Sequence, residues 1–237
     1  QAGVEVIKVD APSTCQDGVY TANWALIRGN KAVMSNLPNK REAEESHAEN
    51  VLKNLGKEIV KLPKEYKFSG QGDALPCGKY LFVGSEYRTD RHVHPLLARE
   101  LGYEVIGVQA IPQLDSDGKV LINPVTGWPD SFFYDLDLAI AVISPELIAW
   151  CPDALMPESQ ERIRTISDLG KIEVSLDEAM HGFACNLVST GEAIVMSDKA
   201  PELQAKLEAR GLTVYTPHVT ELSKGGGFIR CTSLTLS

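Results

Sequence analysis

The chain has 237 residues, 43% of them hydrophobic and 23% charged, enough apolar material to bury a large core. Its formal net charge of -9, with no basic stripe anywhere along it, argues against a nucleic-acid partner. The longest apolar runs, such as 138–143, fall far short of the ~20 residues a membrane-spanning helix needs, and no charged-then-apolar leader opens the chain, so a cytoplasmic protein is expected.

Taken in chain order, the elements repeat one plan. After Gly3 a short apolar strand is expected over 4–9. The runs NWALI and AVMSNL then flank the turn Arg28-Gly29-Asn30-Lys31 as a hairpin. REAEESHAENVLKNLG follows as a helix, with Ala43, His47, Val51, Leu52 and Leu55 at helical spacing and acidic residues in its first turns. Gly56 sits where a left-handed residue closes the helix, and a strand comes next, in LGKEIVKL. DALPCGKYLFVG, DRHVHPLLARELG and LGYEVIGV repeat the plan around Gly102. DLDLAIAVISPELIAW opens a third, more elaborate unit that ends in LGKIEVSL at Gly170. NLVS and AIVMS around Thr190-Gly191-Glu192, then APELQAKLEARG and RGLTVYTP at Gly211, make a fourth. A last strand is expected over 228–236.

The expected unit is strand, strand, helix, strand, recurring in a single α/β domain over 1–237. The chain thus begins on the last strand of one unit and ends on the first strand of another. An N-terminal segment supplying one strand pair and one helix is expected to be missing, and it would have closed a ring.

In a ring of like units, equivalent first-strand positions converge on the axis. Aligning those strands brings together Asn23, Asp73, Asp135, Asp137, Asn186 and Cys231. Polar groups at the heads of apolar strands are costly unless paired, so the cluster points to a site. Carboxylates grip a planar guanidinium through paired, charge-assisted hydrogen bonds, and a cation bound beside a thiol favours the thiolate. Taken singly, Asn23 and Asn186 also fit turn or edge positions, and Asp73 also fits a turn cap after GQG. The five cysteines are scattered without a CxxC pair, so reduced thiols are expected. Cys185 lies in an apolar run and reads as packing, whereas Cys231 follows GGGFIR, whose glycines let backbone approach a ligand closely.

The motifs DGVYTANWAL, FSGQGDAL, GSEYRTD, FFYDLDLAIAVI, HGFACNLV and GGGFIRC occur in the order seen in the guanidine-modifying (pentein) enzymes. The chain resembles that superfamily along its whole length, among its members the dimethylarginine dimethylaminohydrolases, arginine deiminases, amidinotransferases and arginine dihydrolases. The resemblance implies a five-bladed α/β propeller of ββαβ units. It implies that Cys231 is the nucleophile of a covalent amidino intermediate, that Arg41 and Arg88 hold the substrate's α-carboxylate, and that Asn23 contacts the guanidinium. Asparagine there, in place of the acidic residue typical of the dimethylarginine enzymes, tilts the substrate toward arginine.

Two departures stand out. The family's acid–base histidine lies in a motif like FYHLD, and here that position is Asp135. None of the histidines replaces it; His181, nearest to a motif, reads as a surface or packing residue. The second departure is the missing N-terminal segment, which in the family helps to cover the substrate.

The function implied is hydrolysis of arginine to citrulline, or on to ornithine, with ammonia, or of dimethylarginine. Guanidinium would sit between Asn23 and a carboxylate such as Asp73 or Asp137, with Asp135 supplying the proton. An amidinotransferase, or a catalytically impaired arginine-binding homologue, is the alternative. Neither a metal nor an organic cofactor is implied, the partner is a small guanidine, and a homodimer is left open.

Overall fold

The computed structural model describes residues 2–15, 17–37, 41–124 and 126–236. Strands β1 (Ala25–Arg28) and β2 (Lys31–Met34) form the first hairpin, in register Arg28↔Lys31. Gly29 takes φ +57° in its turn, a conformation open to glycine at little cost. Helix α1 (Glu42–Asn54) crosses over to β3 (Glu58–Val60), which pairs parallel to β2. Past a short helix α2 (Gly70–Asp73), the unit recurs as β4 (Ala74–Cys77), β5 (Tyr80–Gly84), α3 (Val93–Leu101) and β6 (Glu104–Val108). It recurs again as β7 (Ile140–Ser144), β8 (Leu147–Trp150), α4 (Pro157–Arg164) and β9 (Gly170–Glu173). After α5 (Leu176–Gly182) come β10 (Val188–Ser189), β11 (Ala193–Val195), α6 (Pro201–Glu208) and β12 (Thr213–Tyr215).

Each sheet keeps sequence order, with an antiparallel first pair and a parallel second pair. The described residues therefore hold four of the five units read from the sequence. Gly56, Gly102 and Gly211 all have positive φ just past their helices, as expected of left-handed C-caps.

The two faces of each sheet explain how units stack. Ala25, Ile27, Ala32 and Met34 pack with Ala48 and Leu52 of α1, while Leu26 and Val33, one residue out of phase, pack with Val93, Leu97 and Leu101 of α3. Both faces are buried because each helix fills the space between successive sheets. Among the described residues no helix is long and apolar enough to cross a membrane.

Three expectations are corrected. Residues 4–9 form no strand: Val4, Val6, Ile7 and Val9 are exposed. A third strand in the other units is held by parallel pairing to a second strand, and no such partner lies beside 4–9 among the described residues. Residues 228–236 form no strand either. They contain a 3-10 turn, Arg230–Thr232, and then run extended. The Gln71 side chain takes the place of a neighbouring strand, its Oε1 accepting from Thr235 N at 3.0 Å and its Nε2 donating to Thr235 O at 2.9 Å. Leu234 and Leu236 pack against the first unit. In α1, finally, Ala43 is exposed and Glu44 turns inward, because Arg41 supplies the charge that makes its burial tolerable.

Candidate active site

The polar residues expected on first strands sit instead on the short turns just ahead of them. Asn23 lies on the 3-10 turn Thr21–Trp24 before β1, Asp73 on α2 before β4, and Asp137 on the 3-10 turn Leu136–Leu138 before β7, with Asp135 just ahead of that turn. Asn186 lies in the loop before β10. Turns free these side chains from the alternation of a strand and bring backbone donors to them. Asp73 Oδ1, for instance, accepts from Leu136 N at 3.0 Å. A Cβ on Gly84 would run into the same carboxylate, so glycine in β5 makes room for it.

Cys231 is only 4% exposed. Its Sγ lies 3.4 Å from Asp137 Oδ2 and 3.1 Å from Asn186 Nδ2. The Asn186 Oδ1 in turn accepts from Arg230 N at 2.9 Å and from Cys231 N at 3.3 Å. One asparagine thus clamps both the backbone and the sulfur of the cysteine. The glycine approach is tight as well: Gly226 has φ +88°, and a Cβ on Gly227 would stand 2.6 Å from Tyr20 Cε1 and 3.0 Å from Cys231 Cβ.

Around this pair runs a second network. Asp135 Oδ2 accepts from Asn23 Nδ2 at 2.7 Å and Oδ1 from Ser69 Oγ at 2.8 Å. Arg88 stands over the Tyr134 ring at 4.0 Å and reaches Asp135 Oδ2 at 3.6 Å. Arg41 is buried rather than solvated. Its fork bonds both Glu44 oxygens at 2.9 Å, Asn23 Oδ1 at 2.9 Å and Tyr20 O at 3.2 Å, which leaves one Nη1 hydrogen for anything else. Asn23 is likewise spent on protein partners. Arg88, about a third exposed, is the more open of the two expected carboxylate-binding arginines.

Three buried carboxylates, Asp73, Asp135 and Asp137, occupy this centre. Among the described residues Arg88 and Arg230 oppose them, with Arg41 set chiefly against Glu44, so the acids outnumber the facing cations by one if all ionise. A proton or a cationic ligand must neutralise that excess. Burial and then Asp135 push Asp73 well above the usual carboxylate range and raise Asp137 to about 8. Burial, then Asp137, push the Cys231 thiol well up from its ordinary value. Asp137 Oδ1 is buried without a hydrogen-bond partner among the described residues, so this carboxylate has an acceptor to offer a ligand.

A cavity of about 220 Å³ borders Asp137, Arg230, Gln71 and Thr235, with walls from Leu75, Ile140 and Leu187. Cys231 does not itself border the cavity, though it touches Asp137 and follows Arg230, which do. Among the described residues no three His, Cys, Asp or Glu side chains converge as metal ligands. His181 is exposed on α5, against Asp177.

The structure therefore brings Cys231 and Asp137 into contact, joins Asn23, Asp135, Arg88 and Arg41 in one network, and ties Asp73 to the Asp135–Asp137 turn through the backbone. Residues 38–40, ahead of Arg41 in its motif, lie outside the described residues. Sequence reasoning passed over Ser69, Gln71 and Arg230. The signal available was adjacency for two of them, Gln71 standing two residues from Asp73 and Arg230 next to Cys231, and membership of the FSGQGDAL motif for Ser69. Gly227→Ala is expected to slow alkylation of Cys231 at least about tenfold, since Tyr20 is fixed by its hydroxyl on Leu222 O and cannot yield; overpacking of this kind costs about 1–3 kcal/mol. Unchanged alkylation and melting temperature would show that the loop moves aside freely.

Comparison with known proteins places this geometry in context. The family model for eukaryotic N,N dimethylarginine dimethylhydrolase matches residues 1–236. A dimethylarginine dimethylaminohydrolase of Mycobacterium tuberculosis is 29% identical over 235 residues, 99% of this chain and 70% of that protein. The bifunctional arginine dihydrolase/ornithine cyclodeaminase AgrE of Nostoc is 28% identical over 225 residues, 93% of this chain. The chain spans only 29% of the length of AgrE, and 29% of the similar cyanobacterial protein ArgZ. Among solved structures, the N-terminal domain of ArgZ, a cyanobacterial arginine dihydrolase, in complex with product superposes with a TM-score of 0.83 at 28% identity, covering 95% of this chain and 77% of that one.

Proposed function

The chain belongs to the N,N dimethylarginine dimethylhydrolase family, and from that premise we propose that it hydrolyses a guanidino group through a covalent adduct on Cys231. The observation that carries this is the contact of the Cys231 thiol with Asp137, whose second oxygen is buried and, among the described residues, unpartnered in a centre where acids outnumber the facing cations. A guanidinium supplies both the charge and the N–H donors this oxygen lacks. In this reading Arg88, the more open of the two arginines, takes the substrate's α-carboxylate, while Arg41 and Asn23 stay with their protein partners.

Arginine is the substrate of choice over dimethylarginine. Its guanidinium carries five N–H donors, and two methyl groups on one nitrogen remove two of them from a centre crowded with carboxylates. The relatives that act as arginine dihydrolases are as similar to this chain as the dimethylarginine enzyme. A second reading, an arginine-binding homologue without turnover, is favoured by Asp135, whose two oxygens are both engaged and which replaces an imidazole.

The test is incubation with arginine, and separately with dimethylarginine, followed by mass spectrometry for citrulline, ornithine and ammonia, with Cys231→Ser as control. Citrulline or ornithine that disappears in the control, with an adduct on the Cys231 peptide of the wild type, is the expected result. Product that appears only when glycine is added identifies an amidinotransferase. Binding of arginine with neither product nor adduct leaves the second reading standing.

A further inference from the structure

We propose that Asp137 is the proton partner of Cys231, taking the thiol proton and returning it to the departing nitrogen, and that Asp135 serves as a positioning residue for Asn23, Ser69 and Arg88. This rests on the guanidine-hydrolase reading above.

The argument begins with Asn186. Its Oδ1 is occupied by the Arg230 and Cys231 N–H groups, so the atom facing the sulfur is the amide nitrogen, a donor only. The thiol hydrogen has no acceptor there and turns to Asp137 Oδ2, 3.4 Å away. Asp135 is disposed otherwise. One of its oxygens takes the Ser69 hydroxyl, the other takes Asn23 and faces Arg88, and neither is a hydrogen-bond partner of the sulfur. A group held on both oxygens by fixed donors is suited to holding geometry and poorly placed to carry a proton to and fro.

The groups around Asp137 are Asp73, Asp135, Tyr134, Cys185, Arg230 and Cys231. Burial and Asp135 make its carboxylate a stronger base than an ordinary aspartate, with Arg230 opposing, and it titrates at about 8. A carboxylate of raised basicity in contact with the thiol is what general acid–base catalysis requires. When a guanidinium cation enters, the thiol proton passes to Asp137 and the thiolate sulfur bonds to the guanidinium carbon, giving a neutral tetrahedral adduct. The Asp137 proton then goes to one amino nitrogen, the C–N bond breaks, and ammonia leaves a thiouronium on Cys231 and a carboxylate on Asp137. That carboxylate takes a proton from the water that adds to the thiouronium carbon. Collapse of this adduct transfers its hydroxyl proton to sulfur, restoring the thiol, and the proton left on Asp137 departs with ammonia as ammonium.

The experiment follows Cys231 by peptide mass spectrometry in wild type, Asp137→Asn, Asp137→Glu and Asp135→Asn. Alkylation by iodoacetamide is read from pH 5 to 10, and adduct formation with arginine is read in single turnover. Asp137→Asn is expected to move the alkylation midpoint down by about one pH unit, because a neutral amide no longer disfavours the thiolate. The same change is expected to slow adduct formation by about 100-fold or more. Asp137→Glu should recover part of that rate. Asp135→Asn should raise the KM for arginine several-fold and lower the alkylation midpoint by clearly less than Asp137→Asn does, because Asp135 does not touch the sulfur. The proposal is overturned if Asp135→Asn moves the midpoint as far as Asp137→Asn does, or if Asp137→Asn forms the adduct at the wild-type rate. If no guanidine gives an adduct with the wild type, the hydrolase reading fails by itself, and the alkylation titration still decides whether Cys231 and Asp137 share a proton.

Discussion

Arg41→Ala is expected to lower the melting temperature by roughly 10 °C. The guanidinium holds Glu44 through two 2.9 Å bonds, and among the described residues Glu44, with no exposed surface, otherwise has only the Trp24 indole at 3.2 Å. Taking away one member of a buried pair strands the other charge, at about 3–5 kcal/mol. Lysine is not expected to rescue, because a point charge cannot span both carboxylate oxygens while also reaching Asn23 and Tyr20. Replacing Arg41 and Glu44 together by methionine should restore much of the loss, since no charge then stays buried alone. Calorimetry of the three variants checks this. An Arg41→Ala protein that melts like the wild type would mean that the guanidinium is free to leave Glu44, and would return it to the ligand-binding role expected from the sequence.

The second large effect is a loss of stability as pH rises, originating in Asp73 and Asp137. Both carboxyls are raised in the folded state, Asp137 to about 8. The native protein therefore binds more protons than the unfolded chain above the ordinary carboxylate pKa. The stability they contribute is full below about pH 4 and is lost as pH climbs through the folded values. Asp137→Asn removes one such group. The difference in melting temperature between variant and wild type should be small near pH 5 and grow to about 5 °C or more in the variant's favour at pH 9. Arginine should stabilise the wild type more at pH 9 than at pH 6, because its cation pairs with the ionised form. A difference that stays flat from pH 5 to 9 would show that Asp137 titrates as an ordinary aspartate.

The ββαβ plan was legible because it rests on local chemistry. Gly56, Gly102 and Gly211 carry the positive φ that ends a helix, and the Gly29 and Gly191 turns fix hairpins wherever the sheets form. The inward face of α1 was misread at one position for the opposite reason. Burial of Glu44 depends on Arg41, and a pattern of apolar residues holds no record of a pair that neutralises itself. The central residues were legible as a set and not as a geometry. Asn23, Asp73, Asp137 and Cys231 were picked as polar heads of strands, yet each sits on a helical turn, because periodicity cannot separate a strand's first residue from the turn before it. Asn186 was seen as one more polar residue, and its double grip on Cys231 appears only when units distant in sequence meet. Residues 4–9 and 228–236 have strand-like composition, but strands are made by partners. One segment finds none among the described residues, and the other finds the side chain of Gln71.

The layout of the centre also bears on the order in which the protein gains its properties. Each hairpin, helix and third strand closes within a few tens of residues, so a unit can form early and quickly on contacts close in sequence. Asn23, Asp73, Asp137, Asn186 and Cys231 come from separate stretches, and the contacts that unite them span 45 to 112 residues. Such closures come late, after the units they join. Until the turn carrying Cys231 settles on Asn186 and Asp137, its thiol is that of an ordinary exposed cysteine; closure buries the sulfur and tightens its hold on the proton, so that afterwards a cationic ligand is what releases it.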